Sequence, residues 1–372
     1  MRKEIITLPP AAPGSEARLT VLRFGPSGAR PKVYVQASMH ADEVPAMLVA
    51  DHLRRRLTEL AHAGRLKGEV ILVPQANPLG GAQGLLGTHL GRHHLSSGRN
   101  FNRFWPDATV AVLARREIFG HDAAANTERV RALAAQWLAD EAASMAHGPD
   151  AQLKLQLMQL AHDADIVLDL HTDDDAALHL YVDRDCWPDL ADLAALLDAK
   201  VVMLCRDSGG NAFEETVAAP FIALKEAGIP VHQPITVTVE LRGRFDVSDA
   251  LAARDADALL AFLVHRRVIA GEVSVPSFAG VAAPFSATEP VRASVGGVVV
   301  FLKEKGAQVR AGETIAEILD PATGKRTPVP VRTSGRLFTR TMHRWVLAGD
   351  VIAKVQGDTP LPERRPGAMM TD

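Results

Sequence analysis

Residues 33–45, VYVQASMHADEVP, join an apolar segment to a histidine and two carboxylates. The apolar start at 33–35 predicts a strand, and Pro45 opens a segment in which apolar residues recur at the three-to-four spacing of an amphipathic helix, at Val49, Leu53, Leu57 and Leu60. In an open α/β sheet, ligands bind beyond the carboxyl ends of the strands, which is where His40 and Glu43 fall. The stretch therefore predicts an α/β fold with polar groups between a strand and a helix.

The alternation of strand and helix patterns continues from about residue 32 to residue 266, which is typical of helices packed on a largely parallel sheet. Further strands are predicted at 69–73, 165–170, 201–204 and 236–241. Further helical patterns lie at 130–138 and 251–262. Residues 74–123 have weak periodicity and are rich in Gly, His, Arg and Asn, and a loop of that length in a compact domain is usually functional or mobile.

A change of texture near residues 272–290, where prolines and glycines punctuate the chain, predicts a domain boundary. Short valine-rich segments beyond it alternate with glycine turns and predict an all-β module of about 75 residues in two related halves, similar to lipoyl or biotinyl carriers. A carrier role is not expected, because the hairpin motif that carriers modify is missing around the candidate lysines Lys303, Lys305, Lys325 and Lys354. We expect a catalytic domain at 1–275, a β domain at 285–357 and a disordered tail at 358–372.

The composition is that of a globular protein: 372 residues, 47% hydrophobic and 23% charged, with a formal net charge of −3. Nucleic acid is not an expected partner, because the longest basic run is Arg54 to Arg56. The chain lacks an apolar window of membrane-spanning length and a signal peptide, so no membrane partner and a cytoplasmic location are expected. Two cysteines, Cys186 and Cys205, exclude a disulfide framework and a thiolate zinc site.

Histidine and carboxylate side chains must therefore hold any metal. A histidine precedes a carboxylate by three residues four times in the chain, so this spacing alone is weak evidence. Position distinguishes His40, Glu43 and His171, which directly follow two buried-looking strands and match the two-histidine, one-glutamate set of a catalytic zinc. The alternative is that these are ordinary strand-end residues. Asp169 could orient an imidazole or be an acid at the edge of the core.

Two further segments carry candidate chemistry. Residues 98–106, GRNFNRFWP, place guanidinium and amide groups between aromatic rings, which fits recognition of a carboxylate or equally a solvated loop with aromatic anchors. The loop before it contains His89, His93 and His94, a rival metal set. Glu240 ends the strand at 236–241 and could act as a base or be salt-bridged to Arg242 or Arg244.

The acidic run Asp173-Asp174-Asp175 follows the third predicted ligand directly. If it lined the pocket, it would favour a substrate with a cationic group. The alternative is a solvated acidic turn.

Five short motifs, taken in chain order, resemble the succinylglutamate desuccinylase/aspartoacylase family of the zinc carboxypeptidase superfamily. They are His40-x-x-Glu43, Ala76-Asn77-Pro78, Asn102-Arg103, Asp169-Leu170-His171-Thr172 and Val239-Glu240-Leu241. The resemblance covers about residues 30 to 357 and is nearer to a branch of predicted deacylases than to the two named enzymes. It implies a zinc-carboxypeptidase-like mixed sheet flanked by helices, with a smaller C-terminal β domain of barrel-sandwich type.

The resemblance also implies roles. His40, Glu43 and His171 would bind one zinc ion, Asn102 and Arg103 would hold the substrate carboxylate, and Glu240 would be the general base. A further arginine polarises the scissile carbonyl in this family. Arg92 and Arg99 are the candidates, because Asn100-Phe101-Asn102-Arg103 replaces the usual D-L-N-R, and we favour Arg92 for this role and leave Arg99 to substrate binding.

The expected function is zinc-dependent deacylation of a small N-acyl amino acid or a related molecule. The alternatives are a metallocarboxypeptidase that acts on peptides and a metal-binding protein without turnover. Self-association into a homo-oligomer is left open.

Overall fold

The computed structural model describes residues 1–144 and 148–364. The helices are α1 (Pro45–His62), α2 (Pro78–Gly81), α3 (Thr109–Leu113), α4 (Ala123–Ala143), α5 (Pro149–Ala161), α6 (Trp187–Leu196), α7 (Phe213–Glu226) and α8 (Asp249–His265), with 3-10 turns at Arg116–Ile118 and Phe285–Ala287. The strands before residue 200 are β1 (Arg2–Leu8), β2 (Ala17–Phe24), β3 (Lys32–Ala37), β4 (Glu69–Val73), β5 (Gly84–Leu85), β6 (Thr88–His89), β7 (Ile166–Asp173), β8 (Asp175–Ala176) and β9 (His179–Val182). The later strands are β10 (Val201–Leu204), β11 (Ile235–Gly243), β12 (Val281–Pro284), β13 (Thr288–Arg292), β14 (Gly297–Phe301), β15 (Gln308–Val309), β16 (Thr314–Leu319), β17 (Arg326–Pro330), β18 (Gly335–Arg340), β19 (Trp345–Val346) and β20 (Val351–Gln356).

The chain forms two compact units. Unit 1 comprises Met1–His171, Gly210–Thr238 and Ser248–Ser274, and unit 2 comprises Thr172–Gly209, Val239–Val247 and Val275–Asp372. This division is less simple than a single boundary near residue 275, because unit 2 also takes in two internal segments. Most of the predicted disordered tail at 358–372 lies outside the described residues. In the part that the structure describes, the Leu361 amide donates to the Ser286 carbonyl.

Unit 1 contains a mixed sheet in the order β1-β2-β4-β3-β7-β11. Only the first residues of β11, up to Thr238, belong to unit 1. The five residues of β4 are all buried, as is typical of a strand covered on both faces. β3 runs parallel to β7 and pairs Gln36 with Asp169 and Ala37 with Leu170. Because parallel strands end at the same sheet edge, this register places His40 and His171 next to each other at the carboxyl ends of β3 and β7.

The sheet of unit 1 is mixed, which confirms the architecture that the family resemblance implies, because β1, β2 and β4 pair antiparallel while β4, β3 and β7 pair parallel. The strand and helix patterns alone favoured a largely parallel sheet and did not predict the β1–β2 hairpin before residue 32. Most of β1 is exposed, and it therefore lacks the strong hydrophobic pattern by which buried strands are recognised. The predicted strands at 69–73 and 201–204 are confirmed, and those at 33–35 and 236–241 are extended by a few residues. The strand predicted at 165–170 begins at residue 166 and continues to residue 173.

Unit 2 contains the second half of β11 in the order β11-β9-β10-β12, with β10 parallel to both neighbours. Its C-terminal part consists of antiparallel sheets in the orders β13-β20-β18-β15 and β17-β16-β14-β19. Aliphatic side chains such as Ile315, Leu337 and Ile352 fill the core of this part. The expected all-β module is confirmed. Within the described part of the chain, the helices are too short or too polar to span a bilayer.

Candidate metal centre

The turn between β3 and α1 is held in a special backbone conformation. Buried Ser38 has a φ of 58°, in the left-handed region that a serine rarely adopts. Its amide donates to the Leu170 carbonyl on β7 over 3.1 Å, and its hydroxyl donates to the Glu43 carbonyl over 2.8 Å. Strained residues of this kind concentrate at functional sites because their surroundings must enforce them. Here the strain fixes the path from His40 to Glu43.

The three predicted ligands converge within unit 1. His40 Nδ1 lies 2.8 Å from Glu43 Oε1, and His171 Nδ1 lies 2.8 Å from Glu43 Oε2. All three side chains are buried, and one ligand atom from each lies within 4.8 Å of the others, so the group could hold a metal ion. The donor set of two imidazoles and one carboxylate fits a catalytic zinc.

A polar group lies beside the Nε2 atom of each ring, while both Nδ1 atoms face Glu43. His40 Nε2 donates to Asn100 Oδ1 over 2.8 Å, and His171 Nε2 lies 3.0 Å from Asp169 Oδ2. An acceptor at Nε2 keeps the proton there and leaves the Nδ1 lone pair for a metal. Asp169 therefore orients an imidazole, which was one of its two interpretations.

A chain of two hydrogen bonds from β3 holds Asp169 and was not predicted from the sequence. Gln36 Nε2 donates to Asp169 Oδ1 over 2.9 Å, and Tyr34 Oη donates to Gln36 Oε1 over 2.9 Å. All three are fully buried. A glutamine in an otherwise apolar strand was the available signal, since a buried amide requires partners.

The electrostatics of the centre are dominated by burial and by the charges around Glu43. Burial and the Arg92 charge lower the pKa of His40 to about 4, so this imidazole is neutral at pH 7. Burial also acts to lower the pKa of His171, but the charges of Asp169 and Glu43 outweigh it and raise this pKa well above its usual value. The two histidines hold the pKa of Glu43 well below its usual range despite its burial.

Arg92 contacts the ligand set, whereas no such contact is found for Arg99. Arg92 Nη1 lies 3.2 Å from both Glu43 Oε1 and His40 Nδ1. The preceding Gly91 accepts a hydrogen bond from the Ala41 amide, and a Cβ at Gly91 would lie 2.2 Å from the Asp42 nitrogen. This close approach, which only glycine allows, places Arg92 beside the ligands. Arg99 is exposed.

Asn102 joins the centre to the loop. Its Nδ2 lies 3.3 Å from His171 Nε2, and its Oδ1 accepts hydrogen bonds from Trp105 Nε1 and the Phe213 amide. Arg103 is buried and donates from Nη1 to the Asn102 carbonyl. The aromatic residues thus anchor a segment that also approaches a predicted ligand.

The rival histidines of the same loop engage local groups instead. His89 Nε2 donates to the Gly80 carbonyl over 3.1 Å, and His94 Nδ1 lies 3.0 Å from Ser97 Oγ. Among the described residues they form no converging set of ligand atoms.

Glu214 is a further buried acid in unit 1 that sequence reasoning missed. It lies in the first turn of α7 and is 7% exposed. Burial, together with the charges of Glu215 and Asp169, raises its pKa to about 8. Glu214 is therefore largely uncharged at pH 7 and adds little negative charge near Asp169.

In unit 2, Glu240 lies on β11 between buried Val239 and Leu241. Lys354 on β20 is close enough for the charge of Glu240 to help raise its pKa, together with Asp173 and Tyr181 and against burial. Lys354 Nζ lies 3.0 Å from Asp173 Oδ2.

Each carboxylate of the acidic run has a basic partner within unit 2. Asp173 pairs with Lys354, Arg244 Nε lies 3.6 Å from Asp174 Oδ1, and Asp175 pairs with Arg340 at 2.7 Å. The run is therefore charge-compensated, and its preference for a cationic substrate stays a prediction.

Comparison with known proteins agrees with this geometry. The family model of the succinylglutamate desuccinylase/aspartoacylase catalytic domain matches residues 29–266. Comparison with curated proteins finds no match.

Solved structures resemble the whole chain. A succinylglutamate desuccinylase/aspartoacylase family protein from Shewanella amazonensis is 26% identical, with a TM-score of 0.84, covering 96% of this chain and 98% of its own. One from Shewanella frigidimarina is 25% identical, with a TM-score of 0.85, covering 97% and 98%. The product-bound ectoine utilization protein EutE (DoeB) from Ruegeria pomeroyi, at 18% identity and a TM-score of 0.66, shares the fold over 96% of this chain and 95% of its own. Given the family model, which spans more than half of the sequence, the chain belongs to the succinylglutamate desuccinylase/aspartoacylase family of deacylases.

Proposed function

We propose that this protein is a zinc-dependent deacylase that hydrolyses the amide bond of an N-acyl amino acid or a related small molecule. The observation that carries the proposal is the presentation of both Nδ1 atoms to Glu43 while Asn100 and Asp169 occupy the opposite ring nitrogens. A zinc ion bound there supplies a Lewis acid that activates water near neutral pH and polarises a carbonyl.

The chain's own residues would divide the remaining work. Asn102 and Arg103 would bind the substrate carboxylate, for which a guanidinium fork is suited. Arg92, beside the ligands, would stabilise negative charge on the scissile carbonyl oxygen. Glu240 would take a proton from water and return it to the leaving amine. Because basic residues compensate the acidic run, the amino acid that is released is sought among neutral and acidic as well as basic amino acids.

The test combines metal content with turnover of a panel of N-acetyl, N-succinyl and N-formyl amino acids, with short peptides as the comparison. We expect one zinc per chain, loss of hydrolysis on chelation and recovery when zinc is returned. Hydrolysis of the peptides alone would identify a carboxypeptidase. Purified protein without affinity for zinc would contradict the proposal.

Glu240→Gln tests the base. We expect zinc content to be retained and turnover to fall by roughly 10²- to 10⁴-fold. Full activity in this variant would exclude Glu240 as the base. A cytoplasmic location and a small-molecule partner stay predictions.

A further inference from the structure

Lys154 is a buried lysine in unit 1 that the proposed mechanism does not use. It lies on α5 and is 8% exposed, an unusual state for an ammonium group. Its Nζ donates to the Arg103 carbonyl over 2.6 Å and lies 5.6 Å from the centre of the Trp105 ring. Lys154 thus contacts the loop on both sides of residue 104 through a charge-assisted hydrogen bond and a cation–π contact.

The loop at this point holds a strained conformation. Phe104 has a φ of 56°, a left-handed value that a bulky side chain disfavours, although its ring is exposed and gains nothing from burial. The Phe104 amide donates to the Gly210 carbonyl over 2.7 Å. The peptide group between Arg103 and Phe104 is therefore held at both ends, its carbonyl by Lys154 and its amide by Gly210.

Gly210 leaves room for Arg103. A Cβ at Gly210, which itself has a φ of 75°, would lie 2.7 Å from Arg103 Cδ. Trp105 Nε1 in turn donates to Asn102 Oδ1. The position of the Asn102-Arg103 pair thus depends on contacts that Lys154 makes with the residues next to it.

The charges around Lys154 come from its own helix and from the loop. Burial lowers its pKa to about 8, Asp150 on α5 acts against this, and the positive charges of Arg99 and Arg103 add to it. The positive charges of Arg99, Arg103 and Lys154 therefore act on one region of unit 1. An anion bound there would be stabilised by these charges.

We infer that Lys154 is a positioning residue for the substrate carboxylate site, holding Asn102 and Arg103 in the binding arrangement and favouring an anionic ligand there. The inference rests on the proposed function, since that function makes Asn102 and Arg103 the carboxylate ligands. Lys154 acts through the loop and need not touch the substrate. Its removal should therefore impair substrate binding more than the chemical step.

The first test compares Lys154→Met, Lys154→Arg and wild type on the best substrate of the panel. We expect KM to rise about tenfold or more in Lys154→Met, kcat to change less than threefold and zinc content to stay the same. Lys154→Arg should recover most of the loss, because it restores the charge and the donor. Lys32→Met is the control and should leave KM unchanged. It removes a partly buried lysine of β3 that is ion-paired with Asp163.

The pH dependence of wild-type KM is the second measurement and requires no variant. Lys154 loses its charge as the pH rises through about 8, so KM should increase above that pH, and this increase should be absent in Lys154→Arg. A KM unchanged in Lys154→Met, or a loss of kcat without a change in KM, would overturn the inference. If Lys154→Met does not fold, comparing the pH dependence of KM in the wild type and in Lys154→Arg tests the inference.

A third measurement separates this inference from the proposed function. In protein labelled with ¹³C at lysine Cε, the signal that Lys154→Arg removes should titrate near pH 8 and move to higher pH when N-acetylglycine is added. If the wild type hydrolyses no substrate, the proposed function fails, whereas this shift would still support an anion site beside Lys154. An unperturbed titration above pH 10, or no response to N-acetylglycine, would overturn the inference.

Discussion

His171 and His179 are two buried histidines eight residues apart, one in each unit, and their pKa values are shifted in opposite directions. His171 lies between Asp169 and Glu43, whose charges raise its pKa, and its Nδ1 faces a carboxylate. His179 donates from Nδ1 to the Ala177 carbonyl over 2.8 Å and packs against Tyr181 and Phe338. Burial lowers its pKa to about 4, although Asp173 acts against this.

The difference shows what makes a buried histidine a metal ligand. Both rings are buried beside acidic residues, so neither burial nor a nearby carboxylate distinguishes them. The deciding feature is which group faces each ring nitrogen. A carboxylate at Nε2 leaves Nδ1 of His171 available, whereas a carbonyl at Nδ1 places the proton of His179 on that atom. The ring of His179 serves as an aromatic core group.

The largest expected effect comes from the matched variants His171→Asn and His179→Asn. His171→Asn removes one of three ligands, so stoichiometric zinc and hydrolysis should be lost, with turnover reduced roughly 10³-fold or more because activated water is lost with the metal. His179→Asn should keep one zinc per chain, since its amide can still donate to Ala177. Metal analysis and steady-state kinetics measure both. Equal zinc loss in the two variants would break the comparison.

Arg92→Met removes the positive charge beside the ligand set, where Arg92 Nη1 lies 3.2 Å from Glu43 Oε1. We expect kcat to fall about 10²- to 10³-fold, as is typical when one donor to a developing oxyanion is removed, with zinc retained. Arg115→Met, at an exposed arginine paired with Glu117, is the control. Zinc loss in Arg92→Met would instead assign Arg92 to holding Glu43 in place.

Asp169→Asn and Asp173→Asn compare the acids beside the two histidines. Asp169→Asn weakens the acceptor at His171 Nε2, and zinc affinity should fall about 10- to 100-fold, the usual cost of removing a partner behind a ligand. Asp173→Asn disrupts the pair with Lys354 and should leave zinc affinity within about threefold. Competition with a fluorescent zinc chelator measures both, and the opposite ranking would contradict the assigned roles.

The smallest expected effect concerns stability and pH at His179. Its folded pKa of about 4 lies below the ordinary value of 6.5, so its contribution to stability is complete above pH 6.5 and is lost as the pH falls toward 4. This linkage corresponds to at most about 3 kcal/mol. Metal-free wild type should therefore lose more stability than His179→Asn between pH 7 and pH 4.5 in urea unfolding. Parallel losses in the two proteins would show that His179 is charged in the folded state.

The strands around the centre could be predicted because β3, β4 and β7 bury near-continuous apolar runs, which leave a strong local pattern. The ligands could be predicted because each lies near the carboxyl end of such a strand. The β1–β2 hairpin could not, because its outer strand is largely exposed. The supporting roles of Asn100 and Gln36 could not be predicted for another reason: their partners, His40 and Asp169, lie far along the chain.

The sequence by itself determined the α/β character of the chain, the C-terminal β module and the identity of the three converging side chains, since these follow from short-range patterns and from the order of motifs. Only the tertiary structure decided between Arg92 and Arg99 as the arginine beside the ligands, gave Asp169 its place behind His171 and compensated the acidic run at 173–175. The tautomer and charge of a side chain, and the groups that it can contact, are set by atoms within about 3–4 Å. Most of those atoms belong to residues tens to hundreds of positions away in the sequence. No local pattern records them.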